Sequence, residues 1–483
     1  AEPLWLVALR PFGGHNYLVR NLVFAGFWKL FGLHAERYFW TVLLTHALNT
    51  ALLFAILRHL VGSLGLACLG AVMWGASPLA AGALGWYSVY GHVLVALCLL
   101  LVLHDLARRT RTGRPITERV ALAWCALLLA SSTCWGVGVG VALGFPAVVF
   151  LLEPTVWQQP RVRRLFLALP LLTLAVHFGL RRGFALLEPL SAEESFHDRV
   201  LLRGLVAVPP MLMHLIGYAA SGTLLGFFTS SAYPDPLTLC VLGAFVAGCG
   251  LLVWRGDRPA RRMALAMVVL TITSYGIIAA GRAGTYVLFK TPPWAAAAVP
   301  RYHYAATIPV VILAMLLLER LGRLIRMPAW LGTPALAAAL AVIVVGWQHA
   351  GSPITDLHPL CRDYFFETWA QVVHTVRAEP PGSVVYLENR SSPFFVLGPT
   401  LPNRLFPGRA AVFLLAQRGD TFEGRQVRFV ESNPKVLDEY RARPRNRLRE
   451  LLVAPDGAPG VGVGGAPTGS RAPIRLAPEP PGG

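Results

Sequence analysis

Acid is what this chain has least of. Its 483 residues include 25 Asp and Glu against 43 Lys and Arg, a formal net charge of +18. Only Glu2 and Glu36 precede Asp105. Charge of either sign is scarce as well: 14% of residues are charged and 55% are hydrophobic, where soluble domains carry about 25% charged residues. That excludes an ordinary soluble protein and marks a polytopic membrane protein. Lysine is nearly missing, with Lys29, Lys290 and Lys435 alone. The arginines punctuate apolar runs and form no single patch, so the basic balance does not point to nucleic acid. Seven cysteines include no Cys-x-x-Cys pair, which leaves no support for a zinc site or a disulfide framework. Six of them lie in apolar runs and read as small buried residues. No cofactor or metal site is evident. The chain opens on Ala1 without a signal-peptide pattern, and we read this as a removed segment or an internal fragment.

A membrane-spanning helix needs about 20 mostly apolar residues. Ten stretches qualify as candidates: 38–60, 63–84, 87–106, 119–136, 137–153, 164–180, 237–254, 262–280, 303–319 and 328–347. The stretch 200–230 is also apolar but carries Arg203, Pro209-Pro210 and His214. Arginines cluster at 108–119, at 161–164, at 255–262 and at 320–326. The positive-inside rule puts all four clusters on one face only if 200–230 does not cross. It is therefore expected to be a re-entrant or jaw segment. Residues 1–37 then form an extracytoplasmic loop with an interfacial helix, and 38–347 form the transmembrane domain. Residues 348–453 read as a small extracytoplasmic α/β region, with a helix over Asp363–Val376 and strands at 383–387 and 426–430. The Pro/Gly-rich stretch 454–483 reads as a disordered tail. The expected fold class is an all-α polytopic membrane protein with a small α/β tail.

Several motifs carry possible chemistry, each beside a plainer structural role. Arg10-Pro11 and Asn16-Tyr17 precede an amphipathic segment from Leu22 to Phe31, whose Phe27, Trp28 and Phe31 suit a headgroup belt. His46 and Asn49 are three apart and share one helix face. They either position a loop and a substrate or make an interhelical hydrogen bond. Ser77-Pro78 leads to Trp86, Tyr87 and Tyr90, belt aromatics or sugar-stacking faces. Gly136, Gly140 and Gly144 form a small-residue packing stripe and no nucleotide loop, because the strand–turn–helix setting is missing. Arg301-Tyr302-His303-Tyr304 stands at the mouth of a span, where an arginine either grips phosphate or snorkels to headgroups.

The order of these elements resembles the start of the C-type (GT-C) integral-membrane glycosyltransferases, in particular those related to protein O-mannosyltransferases. The resemblance covers residues 5–150, and 295–320 locally. It implies transfer of a sugar from a polyprenyl-phosphate donor to an extracytoplasmic acceptor, in a multi-pass protein of the bacterial inner membrane. It implies that Arg301 and Tyr302 hold the donor phosphate, with Arg181 and Arg182 as further candidates. Arg10, His46, Asn49, Trp86 and Tyr90 would position the first loop and the substrate. The family's catalytic Asp lies before the Arg-Pro element, a region that would precede Ala1. Two departures stand out. An additional His and Asn of the relatives correspond to Phe39 and Val42, and a Lys-Glu pair corresponds to Ser132-Thr133-Cys134-Trp135. They keep open a catalytically inert relative acting as an envelope-assembly scaffold, beside a lipid-linked-glycan transporter.

Overall fold

The computed structural model describes residues 4–12, 15–32, 34–187, 204–226, 233–288 and 290–324, and in the tail 377–378, 380, 384–387, 426–429, 451–452 and 475–476. The chain divides into two compact units, Ala1–Pro353 and Ile354–Gly483.

The first unit is helical. A short helix α1 (Leu4–Leu9) and a two-residue hairpin, β1 (Pro11–Phe12) with β2 (His15–Asn16), lead into α2 (Leu18–Phe31). Then follow α3 (Ala35–Leu60), α4 (Leu64–Gly75), α5 (Ala81–Leu84), α6 (Gly91–Thr112), α7 (Glu118–Ser132), α8 (Gly136–Leu152) and α9 (Pro160–Leu187). After residues 188–203 come α10 (Val208–Leu225), α11 (Pro236–Arg255), α12 (Arg258–Leu288), α13 (Pro293–Ala297) and α14 (Ile308–Leu324). Among the described residues six helical segments are long and apolar enough to cross a bilayer: Glu36–Leu60, Tyr87–Thr112, Pro160–Leu187, Leu205–Leu225, Pro236–Arg255 and Arg258–Leu288. The run from Leu64 to Leu84 makes a seventh if its two parts, bent by 41°, count as one. Many outward side chains are large and apolar, among them Trp40, Leu171, Phe178, Val246 and Trp254, as suits helices facing lipid.

Where boundaries differ from the sequence reading, the cause is local. The expected span 63–84 breaks at Ser77-Pro78, where the Ser77 hydroxyl accepts the Leu79 N–H at 3.2 Å and Pro78 starts a 3-10 turn. The expected span 303–319 starts later, at Ile308, because Pro300–Tyr302 form a 3-10 turn. Pro309 sits in the first helical turn, where its missing N–H costs nothing. The expected span 328–347 lies outside the described residues.

The helices run between two chemically different ends. At one, direct contacts link the loops. Gly62 N–H donates to Glu319 at 2.9 Å, and Arg111 reaches the Arg58 carbonyl and His59. Thr110 donates to Glu153, Arg161 meets Glu118 at 3.5 Å, and Arg320 meets Asp257 at 2.5 Å. Residues of the arginine clusters thus share one end. The other end gathers Tyr17, Trp86, Trp135 and Tyr302. The segment 205–225 makes several of its contacts at this aromatic end. An added Cβ on Gly204 would overlap Gly284, and one on Gly222 would touch Leu79. Tyr218 stacks on His303 with ring centroids 5.0 Å apart. By length and composition the segment is one of the candidate spans.

The α8–α12 seam is held by small residues. Cβ atoms on Gly140 or Gly144 would overlap Thr273. Gly136, the third member of the expected stripe, faces His15 instead.

In the second unit β3 (Val384–Leu387) pairs in parallel with β4 (Gln426–Phe429), Val384 opposite Gln426. Both strands fall where the valine-rich runs place them. A further antiparallel pair joins β5 (Leu451–Leu452) to β6 (Arg475–Leu476). The helix expected over Asp363–Val376 and most of the Pro/Gly-rich tail lie outside the described residues.

Candidate functional site

The N-terminal loop is built on a buried arginine. In the hairpin Phe12 pairs with His15, and the Asn16 amide donates to the His177 carbonyl at 2.6 Å. This pins the loop to α9. Arg20, on the first turns of α2, is 8% exposed. Its guanidinium lies 3.5 Å from the centroid of the Tyr17 ring, 5.2 Å from Phe24 and 5.6 Å from Trp135. Two of its nitrogens donate to Asn21 Oδ1, at 3.0 and 3.3 Å. The Asn21 amide in turn donates to the carbonyls of Ala8 and Arg10, both at 3.3 Å. Burial pushes the Arg20 guanidinium below its usual pKa, and the neighbouring Tyr17 counters that. An arginine stays charged even so, and aromatic faces stabilise a desolvated cation by about 2 kcal/mol.

The Ser77–His92 turn meets the Pro300–Tyr304 turn. Gly82 lies under the second turn, and a Cβ there would stand 2.9 Å from the Arg301 nitrogen. That close approach sets the Arg301 guanidinium 5.4 Å from the Trp86 ring and 5.3 Å from the Tyr302 ring. Arg282, from α12, lies 5.8 Å from the other partner of this pair, Tyr302. Trp86 is 42% exposed and Tyr302 is buried, so the cluster has an open rim and a closed floor.

Beneath it is a cavity of about 20 Å³ lined by His15, His92, Trp135, Gly136, Arg282 and Tyr302. His92 is buried, and neither ring nitrogen has a partner. Arg301 and Arg282 are both within electrostatic reach of it. None of the lining residues is acidic. The acids among the described residues are Glu36, Asp105, Glu118, Glu153, Asp235, Asp257 and Glu319. All but Glu36 and Asp235 belong to the arginine end. Asp235 accepts the Thr238 N–H at 2.7 Å as the cap of α11, and Glu36 faces His34 at 3.3 Å.

A second network joins the helices below this cluster. The His46 Nε2–H donates to the Gly75 carbonyl at 2.9 Å, which leaves Nδ1 as acceptor for the Tyr304 hydroxyl at 2.7 Å. The Asn49 amide donates to the Val93 carbonyl at 3.1 Å and to the Tyr304 oxygen at 3.4 Å. Trp74 donates to the Tyr304 carbonyl at 3.1 Å. His303 is held likewise, donating to the Ala297 carbonyl at 2.7 Å and accepting from Tyr275 at 3.0 Å.

The residues singled out from sequence thus separate into groups. Arg301, Tyr302 and Trp86 meet. Arg10 contributes its carbonyl to the loop scaffold. His46 and Asn49 link helices, with both His46 nitrogens engaged inside the protein. Tyr90 is 2% exposed and pairs with the Thr45 hydroxyl at 2.8 Å, so its ring is not presented at the rim. Arg181 and Arg182 stand on α9, which packs on α7, α8 and β2. Arg20, Arg282, His92 and Trp135 were not singled out. Arg282 had a readable sign, a charge inside Gly281-Arg282-Ala283-Gly284 in an apolar helix. Arg20 had one too, with Tyr17 and Phe24 at helical spacing on either side. No family model, no curated protein and no solved structure matches the chain.

Proposed function

We propose that the chain is a membrane glycosyltransferase that moves a sugar from a polyprenyl-phosphate donor to an extracytoplasmic acceptor. The observation that carries this reading is Arg301 placed against the exposed Trp86, next to Arg282, with no carboxylate among the described residues that line the cavity beneath. Two guanidiniums that meet no carboxylate among the described residues suit a phosphate, and Arg301 is open enough to reach one. An exposed indole gives a flat face for a sugar ring. The positive-inside rule then puts the arginine end in the cytoplasm and the aromatic end outside. In the reaction the acceptor oxygen bonds to the anomeric carbon. The bond from that carbon to the phosphate oxygen breaks, and the electron pair leaves with polyprenyl phosphate. Arg301 stabilises the charge that grows on the leaving group. The acceptor hydroxyl gives its proton to a base.

The same lack of carboxylate favours a second reading, a relative that holds polyprenyl phosphate without transferring sugar and serves as a scaffold in envelope assembly. Reconstituted protein supplied with labelled polyprenyl-phosphate hexose and a membrane acceptor fraction separates the two. Transfer that falls about 100-fold in Arg301→Ala and is unchanged in Arg161→Ala supports the enzyme. Binding of polyprenyl phosphate without transfer supports the scaffold. Neither binding nor transfer rejects both.

A further inference from the structure

A second internal space lies at the opposite end of the bundle from the cluster around Arg301. It is a cavity of about 170 Å³ enclosed by α3, α6, α8, α12 and α14. Its interior is apolar, formed by Leu103, Leu106, Met263, Met267 and Ile312, and its mouth carries His59, Thr110 and Arg111. For scale, an engineered apolar cavity of about 150 Å³ takes up benzene. The mouth is strongly basic. Among the described residues Arg111 donates to the Arg58 carbonyl at 3.5 Å and to His59 Nδ1 at 3.3 Å. His59 lies beside His104, the rings tilted with centroids 5.7 Å apart, and sits in the field of Arg58, Arg108 and Arg111. The acids close by are engaged elsewhere. Asp105 pairs with Arg108 and Arg109, both at 2.8 Å, and Glu153 accepts from Thr110. Among the described residues neither Arg58 nor Arg111 has a carboxylate partner. This end therefore combines uncompensated positive charge with an apolar hollow directly behind it.

We propose that this funnel binds an anionic phospholipid of the leaflet at the arginine end, with the headgroup phosphate on Arg111, Arg58 and His59 and one acyl chain in the hollow. Basic pockets between membrane helices take anionic headgroups. A polar mouth at the bilayer surface with an apolar interior toward the midplane has the orientation of a lipid in that leaflet. A wholly aqueous anion would leave the hollow unfilled, and a neutral lipid would leave the arginines unmatched. The inference stands apart from the glycosyltransferase reading, since it uses none of the residues at the aromatic end.

The test is native mass spectrometry of the detergent-purified chain, titrated separately with phosphatidylglycerol, phosphatidylcholine and inorganic phosphate. Phosphatidylglycerol is expected to bind with preference over phosphatidylcholine. Each added acyl methylene is expected to strengthen its binding about fourfold until the hollow is full. Arg111→Gln should weaken phosphatidylglycerol binding about fivefold, and Ala107→Phe, which fills the hollow, should abolish the dependence on chain length. Equal binding of the two lipids, an unchanged Arg111→Gln, or inorganic phosphate binding as tightly as the lipid would each overturn the proposal. Arg111 is exposed, so that variant remains informative even if Ala107→Phe does not fold.

Discussion

The two ends of this bundle handle arginine in opposite ways. At one, Arg108 and Arg109 pair with Asp105, Arg161 with Glu118, Arg320 with Asp257 and Arg323 with Glu319. Each pair has at least one partner open to solvent or sits at the surface of the bundle, and an exposed pair is worth only about 0–1 kcal/mol. At the other, Arg20, Arg282 and Arg301 lie against Tyr17, Trp86, Trp135 and Tyr302. A ring steadies a cation without cancelling its charge, whereas a carboxylate cancels it. An arginine held by rings therefore keeps its attraction for an incoming anion. That difference separates most arginines of one end from those of the other, with Arg58 and Arg111 the exceptions among the described residues of the paired end.

The comparison breaks most easily at Arg20. Its replacement in Arg20→Met removes a buried cation stacked on Tyr17 and the hydrogen bonds that fix Asn21. A loss of about 2–3 kcal/mol is expected, read as denaturant unfolding of the purified protein, while Arg161→Met changes the same measurement by less than about 0.5 kcal/mol. An Arg20→Met protein as stable as the parent would mean that the rings do not hold this end together. Tyr304→Phe sharpens the picture by removing one hydroxyl. It strands His46 Nδ1 and weakens the hold on the Asn49 amide, at an expected cost of about 1–3 kcal/mol. Unfolding that is indistinguishable from the parent would show these bonds to be replaceable by water. The smallest effect is at the paired end. The Ala260 N–H, and after it Arg320, hold the Asp257 carboxyl below the ordinary carboxylate range. A lowered folded pKa gives stability that is complete above the unfolded value of about 3.9 and is lost as pH falls through the folded one. Asp257→Asn should therefore cost less than about 1 kcal/mol at neutral pH. Melting curves of the two proteins should converge only as the solution becomes more acidic than the ordinary carboxylate range.

Much of the helical frame was legible because it depends on local composition. The apolar run ending at Leu60 and the run 237–254 each carry their boundary in neighbouring residues. Lengths were less legible. The stretch read as 119–136 ends at Ser132, because Thr133-Cys134-Trp135 turn the chain toward Val19 and Arg20. His46 and Asn49 could be placed on one face from their spacing. Their shared partner Tyr304 lies more than 250 positions later, and no local pattern announces it. The glycine stripe shows the same limit. Spacing put Gly136, Gly140 and Gly144 together, but the packing of α8 sends the first to His15 and the others to Thr273.

What the sequence determined by itself is the solvent: with so few charges and such long apolar runs, these helices belong in lipid. It also determined where arginine concentrates along the chain. Only the tertiary structure decided which arginines keep their charge uncompensated. That depends on whether a carboxylate or a ring arrives from a distant helix, and the arrival is set by close contacts such as Gly82 beneath Arg301. The neighbourhood of a side chain inside a helical bundle is a property of packing between segments, and packing is not written in any one of them.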